Sequence, residues 1–405
     1  MDTHVLTTID SDRIGLLRQR GIVVGGAGLV LAAIGLVLRP GDLMPSWLIG
    51  FLFCTGLSLG SLSLLMMQHM SGGNWGLVSR RIFEAGSRLL PYCVLLFLPV
   101  AIFAPKLFLW AQGPAVVQAD EILKYKQPYL NLPFFWIRAA VYFLVWFACA
   151  MLLNRWSAQQ DRGEAGVTER DTLRFRVISA PGLLIYVVLM SLAAVDWIMS
   201  LDPHWYSTIF GFIMVAGQAL TALSFAVAVL ALFATREPMN QVLKAGHFHD
   251  LGKLMLAFVM LWAYFSFSQF LIIWAGNLPE EIPFYLRRFD GGWGFFSLVL
   301  AFGHFVLPFC LLLSRDLKRR PHMLARVAWF IIAIRLVDLI WLVAPNFNPN
   351  TGGFMPVTLA NIGVPLALAG VWLVLFAQQL GKLPLVPVND PYFKTMLLQG
   401  HEGGH

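Results

Sequence analysis

The chain has 405 residues, of which 58% are hydrophobic and 13% are charged. So few charged side chains do not cover the surface of a water-soluble globule, whereas a helical bundle in lipid requires this balance. The net charge of +7 does not indicate nucleic-acid binding, because the basic residues lie in short loops between apolar segments, where they orient a protein in the bilayer. The composition therefore predicts an integral membrane protein.

Taken in chain order, the apolar segments are each about 20 residues long, which is enough to cross a bilayer. We expect ten transmembrane helices, near residues 19–38, 46–70, 87–104, 133–153, 175–200, 206–234, 251–275, 293–314, 322–344 and 355–380. With the N-terminus inside, most of the 29 Lys and Arg residues fall on the inner side. The outer side receives Arg39, Lys106, Lys124, Lys126, Arg138, Arg287 and Arg288, and Arg335 alone lies within a span. This bias of positive charge predicts that both termini are cytoplasmic.

One motif at the end of an apolar segment occurs twice. Val-Asp-Trp-Ile-Met-Ser-Leu-Asp-Pro at 195–203 resembles Val-Asp-Leu-Ile-Trp-Leu-Val-Ala-Pro at 337–345. Each copy carries an aspartate, Asp196 or Asp338, seven residues before a proline. At 1.5 Å per helical residue, each acid lies about 10 Å below the membrane surface. The repeat predicts two buried carboxylates at matched depth.

The repeat extends over four helices. Gly50, Phe51, Gly56 and Ser63 recur as Gly211, Phe212, Gly217 and Ser224, at a constant shift of 161. An even number of crossings separates the copies, so both units run the same way through the membrane. We expect an all-α protein with two parallel four-helix bundles, at 46–200 and 206–344. The first helix, within 1–45, and the last helix and tail, at 355–405, lie outside the repeat. Chance similarity between apolar segments is the alternative.

Ionisable side chains inside a span cost about 2.5 to 3.5 kcal/mol on insertion scales, so they usually face a partner or water. Arg335 and Asp338 are three residues apart and can pair on one helix face. Such a pair is either an internal salt bridge that fixes the helix or part of a proton route. Asp196 has no base on its own helix, which makes it the stronger candidate for proton exchange.

Other polar residues form a sequence across the bilayer. His304 lies near the middle of its span, and His69, Glu84 and Asp250 lie at the inner edge. This distribution is typical of two half-channels that meet at a central basic group. A hydrogen-bonded packing role is the alternative for His304, and ordinary interface positions are the alternative for the other three.

The sequence predicts no cofactor and no metal in this chain. Its four cysteines lie in apolar segments without the spacing of an iron–sulfur site or a covalent haem. A bis-histidine haem needs two histidines at like depth, and His69 and His304 differ in depth. The His247–Asp250 run and the tail residues His401 and His405 are expected to be solvated rather than metal-bound.

Two long connections, at 105–132 and 276–292, fall on the outer side. Long loops are candidate docking surfaces for a partner. The alternative for Ala-Asp-Glu-Ile-Leu-Lys-Tyr at 119–125 is an interfacial helix.

Three outer motifs carry a resemblance to a known family. They are Lys-Gln-Pro-Tyr-Leu-Asn-Leu-Pro-Phe-Phe-Trp-Ile-Arg-Ala at 126–139, Asp-Trp-Ile-Met-Ser-Leu-Asp-Pro-His-Trp-Tyr-Ser-Thr at 196–208 and Gly-Asn-Leu-Pro-Glu-Glu-Ile-Pro-Phe-Tyr-Leu-Arg-Arg at 276–288. The chain resembles the ActF family of NrfD/PsrC-like membrane subunits of bacterial alternative complex III, over nearly its whole length.

This resemblance implies a multi-pass subunit of a quinol:cytochrome c or other electron-acceptor oxidoreductase in the bacterial inner membrane. The c-type haems and iron–sulfur clusters would belong to other subunits, and menaquinol or another quinol would be the substrate of the complex. The implied partners are a sister NrfD-like quinol-oxidising subunit, an iron–sulfur subunit, c-haem subunits and small membrane subunits. For this chain we expect proton transfer and scaffolding without a redox centre of its own.

Two other functions remain open at the level of the sequence. A purely structural subunit would use its buried ion pair only to fix helix packing. A solute transporter also often has a duplication and midplane charges, but it would have helices broken at matching positions of its two halves. Pro91, Pro181, Pro308 and Pro365 do not match in this way, which counts against transport.

Overall fold

The computed structural model describes residues 10–165, 167–347, 356–393 and 395–396. Throughout this part of the chain the secondary structure is helical, without a β-strand. Ten helices are long and apolar enough to cross a membrane, and we number them α1 to α10. They are Ser11–Leu38, Pro40–Ser71, Asn74–Ile102, Leu132–Asp161, Glu169–Leu201, Phe210–Phe233, Ala245–Gly276, Trp293–Leu313, Pro321–Asn346 and Leu359–Leu380. The prediction of an all-α membrane protein with ten spans is confirmed.

The largest difference from the predicted spans is at α3, which begins at Asn74 rather than near residue 87. Its first part, Asn74–Ser87, contains Arg80, Arg81 and Glu84, and the helical pattern breaks briefly before Leu90–Ile102. A hydropathy window rejects such a charged segment. The segment is nevertheless buried, because its charges neutralise one another and those of α4.

The spans associate as two groups of four around a central pair. Helix α2 packs against α3 and α5, and helix α6 packs against α7 and α9, while α2 and α6 contact each other. The most apolar stretches of α2 and α6 are almost wholly buried. At Gly60 of α2, an added Cβ would lie 2.2 Å from the carbonyl oxygen of Gln218. A glycine is therefore needed where the two central helices cross.

Helices α1 and α10 pack lengthwise against each other outside the two groups. The contact consists of small residues, and a Cβ on Gly28 would lie 2.3 Å from the backbone nitrogen of Ala367. Such small-residue seams let helices approach closely in lipid, where no hydrophobic force holds them together. Helix α10 also contacts α2, where the Trp372 indole donates to Ser58 Oγ at 2.9 Å.

We call the end of the bundle where α1 begins and α10 ends the inner end, and the opposite end the outer end. The outer connections fold into short helices, Ala104–Leu107, Pro114–Ala119, Glu121–Lys126 and Pro283–Phe289. An interfacial helix at 119–125 was one of the two expectations, and a helix is present there. Its Asp120 accepts from the backbone of Ile122 and Leu123 and contacts His204 at 2.7 Å. Those backbone hydrogen bonds, with His204 beside them, lower the pKa of the Asp120 carboxyl.

Both outer connections are attached to the last two residues of the first repeated motif, Asp202 and Pro203. Lys126 donates to the carbonyl oxygen of Pro203 at 2.5 Å, and Arg287 forms an ion pair with Asp202. Burial lowers the pKa of the Lys126 ammonium, and the nearby Asp202 opposes that shift. The outer loops thus form one layer on the helix ends rather than two independent flaps.

Candidate functional site

The first repeated aspartate, Asp196 on α5, is held by an arginine and a tyrosine of α4. Arg138 donates to its two carboxylate oxygens at 2.9 and 2.7 Å, and the Tyr142 hydroxyl donates at 2.8 Å. Tyr129 and Phe134 flank the guanidinium, with ring centroids 3.8 and 4.4 Å away. This bidentate geometry is the strongest form of a carboxylate contact.

From the sequence, Arg138 was assigned to the outer side and no partner was identified for Asp196, which has no base on its own helix. The structure places Arg138 inside α4, where its side chain is buried against Asp196. Same-helix spacing gives no information about partners across a helix interface. A signal was nevertheless present, because Arg138 follows the first apolar residues of its helix.

The second repeated aspartate, Asp338, pairs with Arg335 on its own helix α9, as the three-residue spacing predicts. Both side chains are buried, at 2% and 3% exposure. The guanidinium also lies 3.6 Å from the Met214 sulfur. A Cβ on Gly217 would lie 2.5 Å from this guanidinium. The repeated glycine at 217 therefore makes the space that the arginine fills.

Each bundle has a buried aspartate at the repeated position, but the arginine that pairs with it comes from a different place. In the first bundle the base comes from the neighbouring helix, and in the second bundle it comes from the same helix. Asp196 has three strong donors. Within the described part of the chain, Asp338 has one ion-pair partner, Arg335, and the indole of Trp262 lies nearby. Asp338 is thus the less constrained of the two acids.

His304 lies in a π-helical turn, Ala301–Val306, inside α8. Its ring stacks on Trp262 with 3.7 Å between the ring centroids. Neither ring nitrogen has a hydrogen-bond partner among the described residues, and the ring is within electrostatic range of Arg335. Among the described residues, the packing of His304 is aromatic, and a hydrogen-bonded packing role for it stays a prediction. Buried polar atoms of this kind usually contact water, and π-turns are frequent at functional sites.

A polar bridge that the sequence analysis missed joins the two bundles near Arg335. The Tyr186 hydroxyl of α5 donates to Gln218 Oε1 of α6 at 2.8 Å, and Gln218 Nε2 lies 3.2 Å from the Met190 sulfur. Tyr186 is also within electrostatic range of Arg335. A lone tyrosine within an apolar span was the available signal.

Glu84 lies at the inner end in a network of arginines. Arg80 and Arg81 donate to it at 2.9 and 2.7 Å, and the Ser157 hydroxyl donates at 2.6 Å. Arg80 also contacts Asp390, in the segment after α10, at 2.7 Å. A buried carboxylate with this many hydrogen-bond donors connects the helices that supply them, and breaking such a pair is costly. The geometry favours the interpretation of Glu84 as an interface residue.

His69 and Asp250, the other two inner candidates, have different surroundings. His69 stacks on Phe175 with 4.7 Å between centroids, and its Nε2 has no partner in the described chain. It lines an inner cavity of about 370 Å³ that Gln68 and Arg176 also line. Asp250 is half-exposed and contacts Lys253 at 3.5 Å. Of these two candidates, His69 is the buried one, and it is the one that borders the inner cavity.

Asp338 lines a cavity of about 320 Å³ in the outer half of the second bundle. Aromatic side chains form a large part of its wall, and the polar residues besides Asp338 are Ser266, Gln269, Tyr285 and Ser297. Gln269 lies 3.3 Å from the Tyr285 hydroxyl, and burial raises the pKa of this hydroxyl to about 12. Asp338 is therefore a buried carboxylate that borders a cavity in the outer half of its bundle.

Between His69 and Tyr186, the interior contains two hydroxyls that make no hydrogen bond within the described residues. Ser179 on α5 lies one turn beyond Phe175 and about 10 Å before Tyr186 along the helix, and Ser224 lies on α6. Both side chains are fully buried. Buried hydroxyls without protein partners are typical positions for ordered water.

The described residues contain no group of three or more His, Cys, Asp or Glu side chains that could hold a metal ion. All four cysteines are free. The tail histidines His401 and His405 lie outside the described residues. The prediction that cofactors belong to other subunits stays a prediction.

No protein-family model matches this chain, and no curated protein matches it. The roles of these polar groups are therefore inferred from their geometry. The chain is a helical, multi-pass membrane protein with an arginine–aspartate pair in each bundle.

Proposed function

We propose that this chain is an integral subunit of a quinol:electron-acceptor oxidoreductase of the alternative complex III type, and that it transfers protons and scaffolds its partners. The resemblance of its three outer motifs supports the choice of family. The observation that carries the proton role is Asp338, a buried carboxylate that pairs with one arginine and lines a cavity in the outer half of the second bundle.

The mechanism uses the pair as a switch between two protonation states. When Asp338 is ionised, Arg335 neutralises it, and neither charge is left unpaired in the interior. When a proton binds to Asp338, the carboxyl group becomes neutral and no longer balances the charge of Arg335. The guanidinium then forms more favourable contacts by turning toward His304 or toward the Tyr186–Gln218 bridge, both nearby. Loss of the proton into the outer cavity restores the pair. The buried arginine thus acts as the central basic group of two half-channels.

The inner half-channel would begin at His69. The inner cavity brings solvent to this ring, and the unpartnered hydroxyls of Ser179 and Ser224 lie between it and Tyr186. Water bound at these hydroxyls would complete a hydrogen-bonded route to Gln218 and Arg335. Electrons would not pass through this chain, because haems and iron–sulfur clusters would be held by partner subunits, where the quinol is oxidised.

A purely structural role is favoured for the first bundle by a separate observation. Asp196 receives hydrogen bonds from both guanidinium donors of Arg138 and from Tyr142. These three hydrogen bonds join the Asp196 carboxylate of α5 to two side chains of α4. The Arg138–Asp196 pair would then fix α4 against α5 and hold the outer loop layer, to which peripheral subunits would dock.

The assignment to a complex is tested by purifying the chain from its native membranes in mild detergent, with a visible spectrum and subunit identification. We expect c-type haem absorbance and iron–sulfur subunits to accompany the chain. If it emerges alone and colourless, the oxidoreductase assignment is wrong. Transport of a solute by the purified chain in liposomes would then replace it.

A further inference from the structure

A basic pocket on the lipid-facing side of the first bundle, at its inner end, has no role in the proton route. It has a volume of about 460 Å³ and lies where α3 breaks, beside the last turns of α4 and the end of α10. Three cations line it, Arg88, Arg155 and Lys382, and no acidic residue lines it. The rest of its wall is largely apolar.

The side chains at this pocket carry more positive than negative charge. Three arginines, Arg80, Arg81 and Arg88, are matched by three carboxylates of the same network, Glu84, Asp161 and Asp390. Arg155 and Lys382 stand beside this balanced group. Both are exposed, and neither makes an ion pair with any described residue. Two positive charges are therefore available to an external anion.

Arg88 is oriented toward the same pocket. Its Nε donates to Asn154 Oδ1 at 2.7 Å, while its Nη2 lies 3.7 Å from Glu84. The Asn154 amide in turn donates to Ser87 Oγ at 3.0 Å and to the carbonyl oxygen of Ala150 at 2.8 Å. These hydrogen bonds fix the orientation of the Arg88 guanidinium. Guanidinium and ammonium donors in this arrangement suit a phosphate.

The apolar part of the pocket continues as a groove between α3 and α4. Phe147 and Met151 face outward, at 43% and 50% exposure. Phe147 also lines the next cavity toward the outer end, about 480 Å³ in volume, together with Val94, Leu98 and Leu144. The pocket is cationic at the level of the helix ends and continues as an apolar groove along the helices. This arrangement is complementary to a phospholipid, which has an anionic headgroup and apolar acyl chains.

We propose that this pocket binds an anionic phospholipid, with its phosphate at Arg88, Arg155 and Lys382 and an acyl chain in the groove past Phe147. Basic pockets between transmembrane helices on the cytoplasmic side are suited to such headgroups. The position agrees with the expected cytoplasmic inner end. This binding site does not depend on the function proposed above.

The test uses the full chain, with any subunits that remain on it, after delipidation in mild detergent. Cardiolipin is the anionic probe and phosphatidylcholine the neutral one, and native mass spectrometry measures the bound lipid. We expect cardiolipin to bind at least tenfold more tightly than phosphatidylcholine. In the double variant Arg155→Gln/Lys382→Gln, this preference should be lost.

The matched control is Arg170→Gln/Arg236→Gln, which removes two exposed cations at the same end of the bundle but outside the pocket. It should keep the preference for cardiolipin. Equal binding of both lipids to the unsubstituted chain, or an unchanged preference in Arg155→Gln/Lys382→Gln, would overturn the proposal. Displacement of cardiolipin by inorganic phosphate would indicate a free-anion site instead. Crosslinking of Met151, replaced by a photoreactive residue, to another polypeptide would assign the groove to a partner helix.

Discussion

Among single residues, Gly217 and Arg335 depend on each other, because the guanidinium of Arg335 occupies the space that a side chain at position 217 would fill. The glycine is repeated at position 56, but only position 217 faces a guanidinium, at 2.5 Å from an added Cβ. At Gly56 the nearest atom to an added Cβ is Gln218 Cγ, at 3.4 Å, an ordinary contact. The same repeated residue therefore has a polar role in one bundle and a packing role in the other.

Gly217→Ala should displace Arg335 from its pairing with Asp338. We expect a loss of about 1 to 3 kcal/mol in stability, the usual cost of overfilling a packed interior. Thermal unfolding in detergent measures it, with Gly56→Ala as the matched control that should be nearly neutral. Equal stability of the two variants would contradict the close contact.

Arg138→Gln should leave Asp196 buried without a countercharge. Removal of one partner of a buried pair costs about 3 to 5 kcal/mol, because the remaining charge is uncompensated. The double variant Arg138→Gln/Asp196→Asn removes that charge, so it should be more stable than Arg138→Gln alone. Denaturant unfolding of the two single variants and the double variant measures this coupling. Additive effects would show that the two side chains do not interact.

The sequence predicted the site acids but only half of their partners. Asp196 and Asp338 were found because their motif repeats, and Arg335 was found because it lies three residues from Asp338 on the same face. Arg138 and Tyr186 were not found, since their contacts cross helix interfaces, and hydropathy and spacing do not fix which face a residue presents. His304 was placed in the right span, but its stacking on Trp262 depends on a π-turn that no residue pattern marks.

At the scale of elements, the seam between α1 and α10 determines whether the two terminal helices stay together. Gly28→Leu should separate them, because the Cβ alone would lie 2.3 Å from the backbone of α10. We expect a loss of about 1 to 3 kcal/mol and faster proteolysis of α1. Gly26→Leu is the control on the exposed face of the same helix, with nothing within 4 Å of an added Cβ. A similar loss in both variants would mean that the seam does not hold α1.

Helix positions were predictable, whereas helix ends depended on neutralisation of charge. All ten apolar segments are helices, because length and hydropathy suffice for that decision. The start of α3 was not predictable in the same way, since Arg80, Arg81 and Glu84 are acceptable in the interior only with Asp161 and Asp390 beside them. Such partners lie far away in the sequence.

At the scale of the whole molecule, the two bundles have the same frame and different polar contents. The central helices α2 and α6 cross through small residues, with Gly60 of α2 against the backbone of Gln218 in α6. The first bundle saturates its aspartate, and the second leaves its aspartate beside an arginine, an unpartnered histidine and an outer cavity. The two repeated aspartates therefore have different surroundings at matched positions of the sequence repeat.

The most direct measurement is the ratio of protons moved per electron in the intact complex reconstituted in vesicles. We predict that Asp338→Asn lowers this ratio while quinol oxidation continues. The double variant Arg335→Gln/Asp338→Asn, which leaves no unpaired charge, should lower it as well. Asp316→Asn, an exposed acid at the inner end, should leave the ratio unchanged. An unchanged ratio in both Asp338 variants, with electron transfer intact, would contradict a proton route through this subunit.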